Sequence, residues 1–262
     1  MRTRTALALG AIAALVWLER KRPLRRYVEP SAARVARNLA VGAITAATVS
    51  TLERPLVTRV ARWTERCNIG LVPRLRLPHA SGMLAAVALM DYTLYVWHVL
   101  LHRVPALWRL HEPHHVDRDL DTSTGVRFHF TEFLASIPWR CAQIALIGVS
   151  PRALRLWQTL TLAEVLFHHS NVRLPARIDA LLAHILVTPR LHGLHHSVLR
   201  EERDSNFSSG LTLWDRLHGT FRSAARDAVT IGLPDRQSDA DTALMRTLTL
   251  PFERRSDKEE QR

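Results

Sequence analysis

Histidine is concentrated in one stretch of this chain, at spacings typical of metal ligands. Thirteen of the fourteen histidines lie between positions 98 and 218 of the 262 residues. Residues three or four apart on a helix share a face, so each cluster can present at least two imidazoles to one site. The clusters are one pair and two His-x-x-His-His segments: His98 and His102; His111, His114 and His115; and His192, His195 and His196.

The number of histidines favours two metals over one. The three clusters supply eight imidazoles, and His169, with His129 and His168 as further candidates, raises the supply to eleven. That exceeds the ligand count of a mononuclear site, and the adjacent histidines of each segment can point to different metals. Closed structural zinc usually draws on cysteine, and the chain has only two, Cys67 and Cys141. Imidazole also suits iron, so we expect two irons.

Histidine ligands need a hydrogen-bond acceptor behind the second ring nitrogen, and carboxylates are common in that role. Asp91 and Glu132 are the favoured candidates, followed by Asp215. Three more carboxylates lie in or beside the clusters: Glu112, Asp117 and Glu164. We expect three histidines to be bystanders: His79, His184 and His218.

Apolar runs alternate with arginine-rich blocks, which predicts helices that enter and leave a membrane. Residues 6–18 and 39–52 form the first two runs, and Pro55 is expected to close the second. The basic block 20–37 is expected to face the cytoplasm. Residues 80–102 form the third run, which carries Asp91 in mid-span and ends in the first histidine pair. An ionisable residue inside such a helix is a functional-site hypothesis by default.

Later segments are expected to return histidines to the same surface. Residues 133–167 predict a hairpin of two helices that turns at 148–151. Residues 172–191 predict an amphipathic interfacial helix ended by Pro189. Pro113 is expected in the first turn of a helix that begins just after His111. The fold class is therefore all-α, an integral membrane bundle of three or four membrane helices or hairpins with a cytoplasmic, histidine-rich cap.

Three segments divide the chain. Residues 1–79 are N-terminal membrane helices and a basic loop, 80–223 a catalytic segment, and 224–262 a charged, partly disordered tail. The net charge of +12 fits an anionic membrane surface or retention on its cytoplasmic side, and the expected location is the inner or plasma membrane. No nucleic-acid partner is expected, because no basic module with base-stacking aromatics or a helix-turn-helix is present.

The stretch from Asp91 to Phe221 resembles the fatty acid hydroxylase superfamily, which includes sterol desaturases and C4-methylsterol oxidases. Four positions depart from the family pattern: Val99, Phe130, His168 and His218. The similar motifs are Asp91-Tyr-Thr-Leu-Tyr-Val-Trp-His98, Trp108-Arg-Leu-His111-Glu-Pro-His-His115, Arg127-Phe-His129-Phe-Thr-Glu132, Phe167-His-His-Ser-Asn171, Thr188-Pro-Arg-Leu-His192-Gly-Leu-His-His-Ser197, and Asn206-Phe207 with Trp214-Asp-Arg-Leu-His-Gly-Thr220.

The resemblance implies a membrane di-iron oxidase. Such an enzyme uses O2 to hydroxylate or desaturate a lipid C–H bond, and the lipid could be a sterol, a fatty acyl chain or a related molecule. Its electrons would come from an external ferredoxin or a cytochrome-type reductase system, because the chain lacks haem-attachment, flavin-binding and iron–sulfur motifs.

Other function classes remain open from the residues alone. A membrane cytochrome would place histidines across a haem, and a non-enzymatic protein could bind or transport metal with the same side chains. A membrane metallohydrolase would also use a metal site, but it would draw oxygen from water. Neither the lipid nor the choice between hydroxylation and desaturation can be inferred from these motifs.

Overall fold

The described part of the chain, residues 2–223 and 229–253 of a computed structural model, is built from helices. No β-strand forms in these two ranges, where only isolated bridges such as Pro23 with Val172 occur. The expected all-α class is confirmed. The α-helices are α1 (Arg2–Lys21), α2 (Ser31–Thr48), α3 (Arg54–Cys67), α4 (Leu71–Arg74), α5 (His79–Arg103), α6 (Pro105–His115), α7 (Phe130–Ile147), α8 (Pro151–His169), α9 (Ala176–Leu182), α10 (Pro189–His195), α11 (Arg200–Arg203), α12 (Leu213–Leu217), α13 (Asp239–Thr242) and α14 (Leu244–Thr249).

The main core lies where α3, α5, α7 and α8 pack together. Val57 and Ala61 of α3 meet Met90 of α5, Ile144 of α7 and Trp157 of α8. Each of these side chains is buried, and burial of such apolar groups contributes about 1.5–3 kcal/mol for a large one. The core holds α5 and α8, two of the helices that carry the histidines described below, against α3 and α7.

Two helical stretches are long and apolar enough, by length and composition, to cross a membrane. They are Ala32–Arg74, with a mean hydropathy of 1.2, and His79–Arg103, with 1.6. The second is the expected third apolar run, and it carries Asp91 and the first histidine pair as expected.

Pro55 does not end the second apolar helix, contrary to the sequence expectation. α2 passes through a π-helical turn, Val49–Glu53, and continues as α3 to Cys67. A proline lacks the N–H of the helical ladder and crowds the carbonyl four residues earlier. The wider π turn precedes Pro55, which then occupies the first turn of α3, where its missing donor is tolerated.

The hairpin of α7 and α8 matches the prediction from residues 133–167. Gly148 ends α7 with φ of 80°, and the Ser150 side chain accepts from the backbone N–H of Ala153 to cap α8. The Thr64 hydroxyl of α3 donates to the carbonyl of Val149. The turn is therefore held at the far end of α3, and the two arms return to the histidines.

Two proline expectations near the histidines were wrong. α6 begins at Pro105, so His111 lies inside the helix and Pro113 in its last turn. Pro189 begins α10, which carries His192, because the Thr188 side chain caps that helix by accepting from Leu191 N–H. The amphipathic helix predicted for 172–191 is only α9, seven residues long. Proline favours a first helical turn as well as a stop.

A buried ionic network joins α2 to the loop after α6. Arg34 donates through Nε to Asp117 at 2.8 Å and also pairs with Asp121. Burial alone would raise the pKa of Asp117, but the guanidinium groups of Arg34 and Arg127 outweigh it and hold that pKa well below its usual range. Arg34 belongs to the basic block 20–37, yet its side chain is fully buried.

The segment after position 223 is partly packed onto the cap. Leu233 and Leu250 form a small apolar cluster with Val116, and the Thr247 hydroxyl accepts from Arg127 Nη2 at 2.8 Å. Of the expected charged, partly disordered tail, 224–262, residues 224–228 and 254–262 lie outside the described residues. The division into three segments stays a prediction.

Candidate metal centre

Five histidines from three helices converge in what we call the first histidine group. The nitrogens that they can offer to a metal all lie within 4.8 Å of one another. His98 and His102 come from the end of α5, and the group is completed by α6 and α10. Its members are His98, His102, His111, His115 and His195.

Four buried histidines form the second histidine group beside the first. Their available nitrogens also lie within 4.8 Å of one another. The Nε2 atoms of His114 and His169 are 3.0 Å apart, and those of His169 and His192 are also 3.0 Å apart. The members are His114, His169, His192 and His196.

Adjacent histidines divide between the two groups. His115 belongs to the first group and its neighbour His114 to the second, and His195 and His196 divide in the same way. The rings of His115 and His196 stack with centroids 4.2 Å apart, so the groups lie side by side. Consecutive residues on a helix point about a quarter-turn apart or more, which is how one segment serves two sites.

Several imidazoles have their Nδ1 atom fixed by an acceptor that cannot donate. His98 Nδ1 donates to the Phe207 carbonyl at 2.7 Å, and His111 Nδ1 donates to the Glu132 carboxylate at 2.9 Å. His114 and His169 donate in the same way to backbone carbonyls. A neutral imidazole carries one N–H, so each of these four rings keeps a lone pair on Nε2.

Those lone pairs face one another. His98 Nε2 and His111 Nε2 are 3.2 Å apart, and His114 Nε2 and His169 Nε2 are 3.0 Å apart. Two acceptors this close repel unless a cation lies between them. Nitrogens bound to one metal at about 2.0–2.1 Å, with angles near 90–110°, lie roughly 3.0–3.4 Å apart. The donor set and its spacing therefore fit metal ions.

Burial keeps histidines of both groups in the neutral form, which is the form that binds metal. Desolvation, followed by neighbouring imidazoles, holds the pKa of His115 and His196 well below the usual value. The pKa of His192 and His195 is lowered chiefly by the same burial. Because the neutral ring is the metal ligand, these groups can coordinate near neutral pH without first losing a proton.

A cavity of about 650 Å³ opens onto both groups. His98 and His111 of the first group and three histidines of the second line one end. Leu94, Trp97 and Phe128 also line it. The cavity lies between α2, α5, α7 and α8, and most of its lining surface is apolar. Such a shape can hold a long apolar molecule against the metal site.

The sequence profile of the fatty acid hydroxylase family matches residues 83–220, slightly more than half of the chain. The chain belongs to this family. The match includes both histidine groups, the hairpin α7–α8 and the loop after α10. The family resemblance seen in the motifs is confirmed.

Curated relatives from the family are similar to this chain over half or more of its length. An ornithine lipid hydroxylase, OlsE, of Rhizobium tropici is 33% identical over 70% of this chain and 54% of its own. Human alkylglycerol monooxygenase is 29% identical over 55% of this chain and 31% of its own. Mouse cholesterol 25-hydroxylase is 26% identical over 55% of this chain and 48% of its own.

The chain spans about half or less of the length of these relatives. No solved structure matches it.

The structure brings together nine of the eleven histidines that the sequence analysis singled out. His168 lies outside both groups: its Nδ1 donates to the Ser209 carbonyl at 3.0 Å, and its ring packs 4.0 Å from that of His192. His129 caps α7, bonded to Thr131 and Leu248. His79, His184 and His218 also lie outside both groups and are exposed.

The favoured carboxylates take different places. Glu132 contacts a histidine directly, through His111. Asp91 instead accepts from Trp214 Nε1 at 2.7 Å and from Leu211 N–H. Asp215 accepts from the backbone N–H groups of Phe207 and Ser208, each at 2.9 Å, and so fixes the carbonyl that holds His98.

The other three carboxylates have partners away from the imidazoles. Glu112 accepts from Arg236 Nε at 2.9 Å, and Asp117 belongs to the Arg34 network. Glu164 and Asp91 both lie beside Gly210. A Cβ on Gly210 would stand 2.6 Å from a carboxylate oxygen of Glu164 and 2.7 Å from one of Asp91.

Most acceptors behind the imidazoles are backbone carbonyls that sequence reasoning missed. They belong to Phe207, Arg127, Val165 and Ser205. A carbonyl has no sequence signature, because every residue carries one. The helical i, i+4 spacing of Val165 and His169 is the one signal that could have indicated such a contact.

Proposed function

We propose that this chain is a membrane-bound di-iron oxygenase that hydroxylates a C–H bond of a lipid with O2 and external electrons. One observation carries the proposal: two adjacent nitrogen-donor groups form the wall at one end of a long apolar cavity. The family membership supports it, and the relatives are named for hydroxylation of an ornithine lipid and of cholesterol and for oxygenation of alkylglycerol.

Iron suits the donors because they are imidazoles without cysteine thiolates. Two iron ions held by the two groups would supply the O2 activation and the attack on the C–H bond that the side chains cannot provide. In the overall reaction one oxygen atom enters the C–H bond, and the other leaves as water with two electrons and two protons. We propose that an external carrier provides the electrons.

The chain's own residues would position the donors and the substrate. Glu132 and the Phe207 carbonyl hold the N–H of His111 and His98, so that both Nε2 lone pairs face the site. Trp97, Leu101 and Phe128 line the neighbouring cavity wall. Their apolar surface would exclude water and hold a hydrocarbon segment beside the donors.

An isotope experiment tests this proposal. Membranes containing the protein would be incubated with a reductase system and labelled O2, and the lipids analysed by mass spectrometry, with His195→Ala as the inactive control. The expected result is a lipid hydroxyl that carries label from O2 in the wild type alone. Label from water would indicate hydrolysis, a new double bond without label would indicate desaturation, and an equal lipid profile in both proteins would contradict oxidation.

A further inference from the structure

The end of the cavity away from the histidines is cationic. Arg140 of α7 lines it, and the Arg140 side chain is only 8% exposed. Its Nε and Nη1 atoms are buried and have no hydrogen-bond partner among the described residues. The Glu53 carboxylate stands 3.7 Å from Nε, within ion-pair range but too far for a hydrogen bond.

A buried guanidinium with unpaired N–H groups is costly, so its place in the wall needs a physical reason. The group is held in a fixed position, because its Cζ lies over the Trp157 ring, 4.7 Å from the centroid. Glu53 also lies within one of the two stretches that could cross a membrane. Ionisable side chains at such depth usually mark a site that binds or moves something polar.

The charges at this end favour an anion. Arg54 of α3 and Arg155 of α8 also line the cavity, and both residues are exposed. Glu53 is the one carboxylate that lines this end among the described residues. Three guanidinium groups against one carboxylate leave positive charge for an incoming group. A guanidinium matches carboxylate and phosphate oxygens in geometry as well as charge.

α7 connects this end directly to the histidines. Glu132, which holds His111, and Arg140 are both buried and both line the cavity, with Ser136 between them. Residues four and eight apart lie on one helical face. The helix rises about 12 Å between Glu132 and Arg140, roughly ten bonds of an extended chain.

We propose that Arg140 binds the oxyanion of the lipid substrate, a carboxylate or a phosphate, and so determines which carbon of the chain reaches the histidine groups. The inference deepens the proposed function and rests on it for the identity of the site as an oxidation centre. The substrate class is then an amphiphile with an acidic head, oxidised along its apolar part about ten bonds away.

A binding experiment tests the role of Arg140 without requiring turnover. The full chain in phosphatidylcholine nanodiscs would be titrated with radiolabelled hexadecyl phosphate, palmitate and hexadecanol, and with inorganic phosphate as a separate ligand. We expect the two acidic amphiphiles to bind at least about tenfold more tightly than the alcohol, the effect of a charged hydrogen bond. Inorganic phosphate should bind weakly, because it lacks the chain that fills the cavity.

Variants separate a binding role from a structural one. Arg140→Gln should remove the preference for acidic amphiphiles, and Arg152→Gln, an exposed arginine of α8 outside the cavity, should retain it. Because Arg140→Gln leaves Glu53 buried without its cation, Glu53→Gln/Arg140→Gln serves as the variant expected to stay folded. That variant should also lose the preference while its metal content stays unchanged.

The proposal is overturned if the wild type shows no preference for the acidic amphiphiles, if the folded double variant keeps it, or if inorganic phosphate alone binds as tightly as hexadecyl phosphate. A failure of the isotope experiment would leave these binding results as they are, so the two proposals fail separately. Where turnover is detected, Arg140→Gln should spread oxidation over more chain positions, measured by mass spectrometry of the products.

Discussion

Glu132 is the carboxylate that would influence the strength of the proposed metal site without binding metal itself. Its carboxylate accepts a hydrogen bond from His111 Nδ1–H, with Nδ1 and Oε2 2.9 Å apart, which fixes the tautomer that leaves the Nε2 lone pair free. A carboxylate behind a histidine also makes the ring a stronger donor, and loss of such a contact typically costs ten- to a hundred-fold in metal affinity.

Glu132→Gln is therefore expected to weaken metal binding by about tenfold or more, since the amide oxygen can accept the hydrogen bond from Nδ1–H but carries no charge. Competition with a chelator of known affinity measures the change. Glu65→Gln, on the exposed face of α3, is the matched control and should bind metal as the wild type does. Equal affinity in both variants would refute the role given to Glu132.

Individual residues also show what the sequence could not reveal. The nine grouped histidines could be recognised because ligands three or four residues apart on a helix form a local pattern in the sequence. The Phe207 carbonyl and the pairing of Arg34 with Asp117 and Asp121 were not, because they join segments far apart in the chain. Charge alone placed Arg34 in a basic surface block, whereas the fold buries it.

At the scale of elements, the turn between α7 and α8 is needed to return His169 to the second histidine group. Gly148 adopts φ of 80°, and a Cβ there would stand 2.5 Å from the Ile69 carbonyl oxygen and 2.6 Å from Pro73 Cδ. Gly219 has φ of 69° but open space around the same position. Comparing Gly148 with Gly219 therefore separates the cost of a left-handed backbone from the cost of steric overlap.

Gly219→Ala should cost about 1–2 kcal/mol, the penalty for a left-handed conformation. Gly148→Ala should cost more than that, because the overlap with backbone atoms forces the turn to move. Thermal unfolding of the two variants in detergent measures the difference. An equal loss of stability in both would contradict the tight packing of the turn against α3 and α4.

The second prediction at this scale concerns the buried ionic network that joins α2 to the loop after α6. Arg34→Met would leave Asp117 and Asp121 buried without their ion-pair partner, and breaking a buried ion pair in this way typically costs about 3–5 kcal/mol. Denaturant or thermal unfolding would measure the loss. Arg66→Met, an exposed arginine of α3, should change the free energy of unfolding little.

The helices themselves were largely predictable, and their boundaries at prolines were not. The hairpin α7–α8 and the helix α5 follow from long apolar runs with clear turn signals. Pro55, Pro113 and Pro189 were misplaced because the same residue can begin a helix, follow a π turn or end a helix. Neighbouring helices, which a local pattern does not contain, decide among these outcomes.

On the scale of the whole molecule, the two histidine groups predict two metal ions per chain. Each group draws on α6 and α10, so the ions would be neighbours. The remaining ligands differ, since α5 serves the first group and α8 the second. Removing ligands of one group should therefore empty that site, because the histidines of the other group stay in place.

The wild type purified with iron should contain two ions per chain by elemental analysis. His169→Ala/His192→Ala leaves two histidines in the second group, and His98→Ala/His102→Ala/His195→Ala leaves two in the first, too few for a stable site. Each variant should keep about one ion per chain, and the combined variant none. Loss of all metal in either variant alone would instead indicate one shared site, and circular dichroism would confirm that the helices remain.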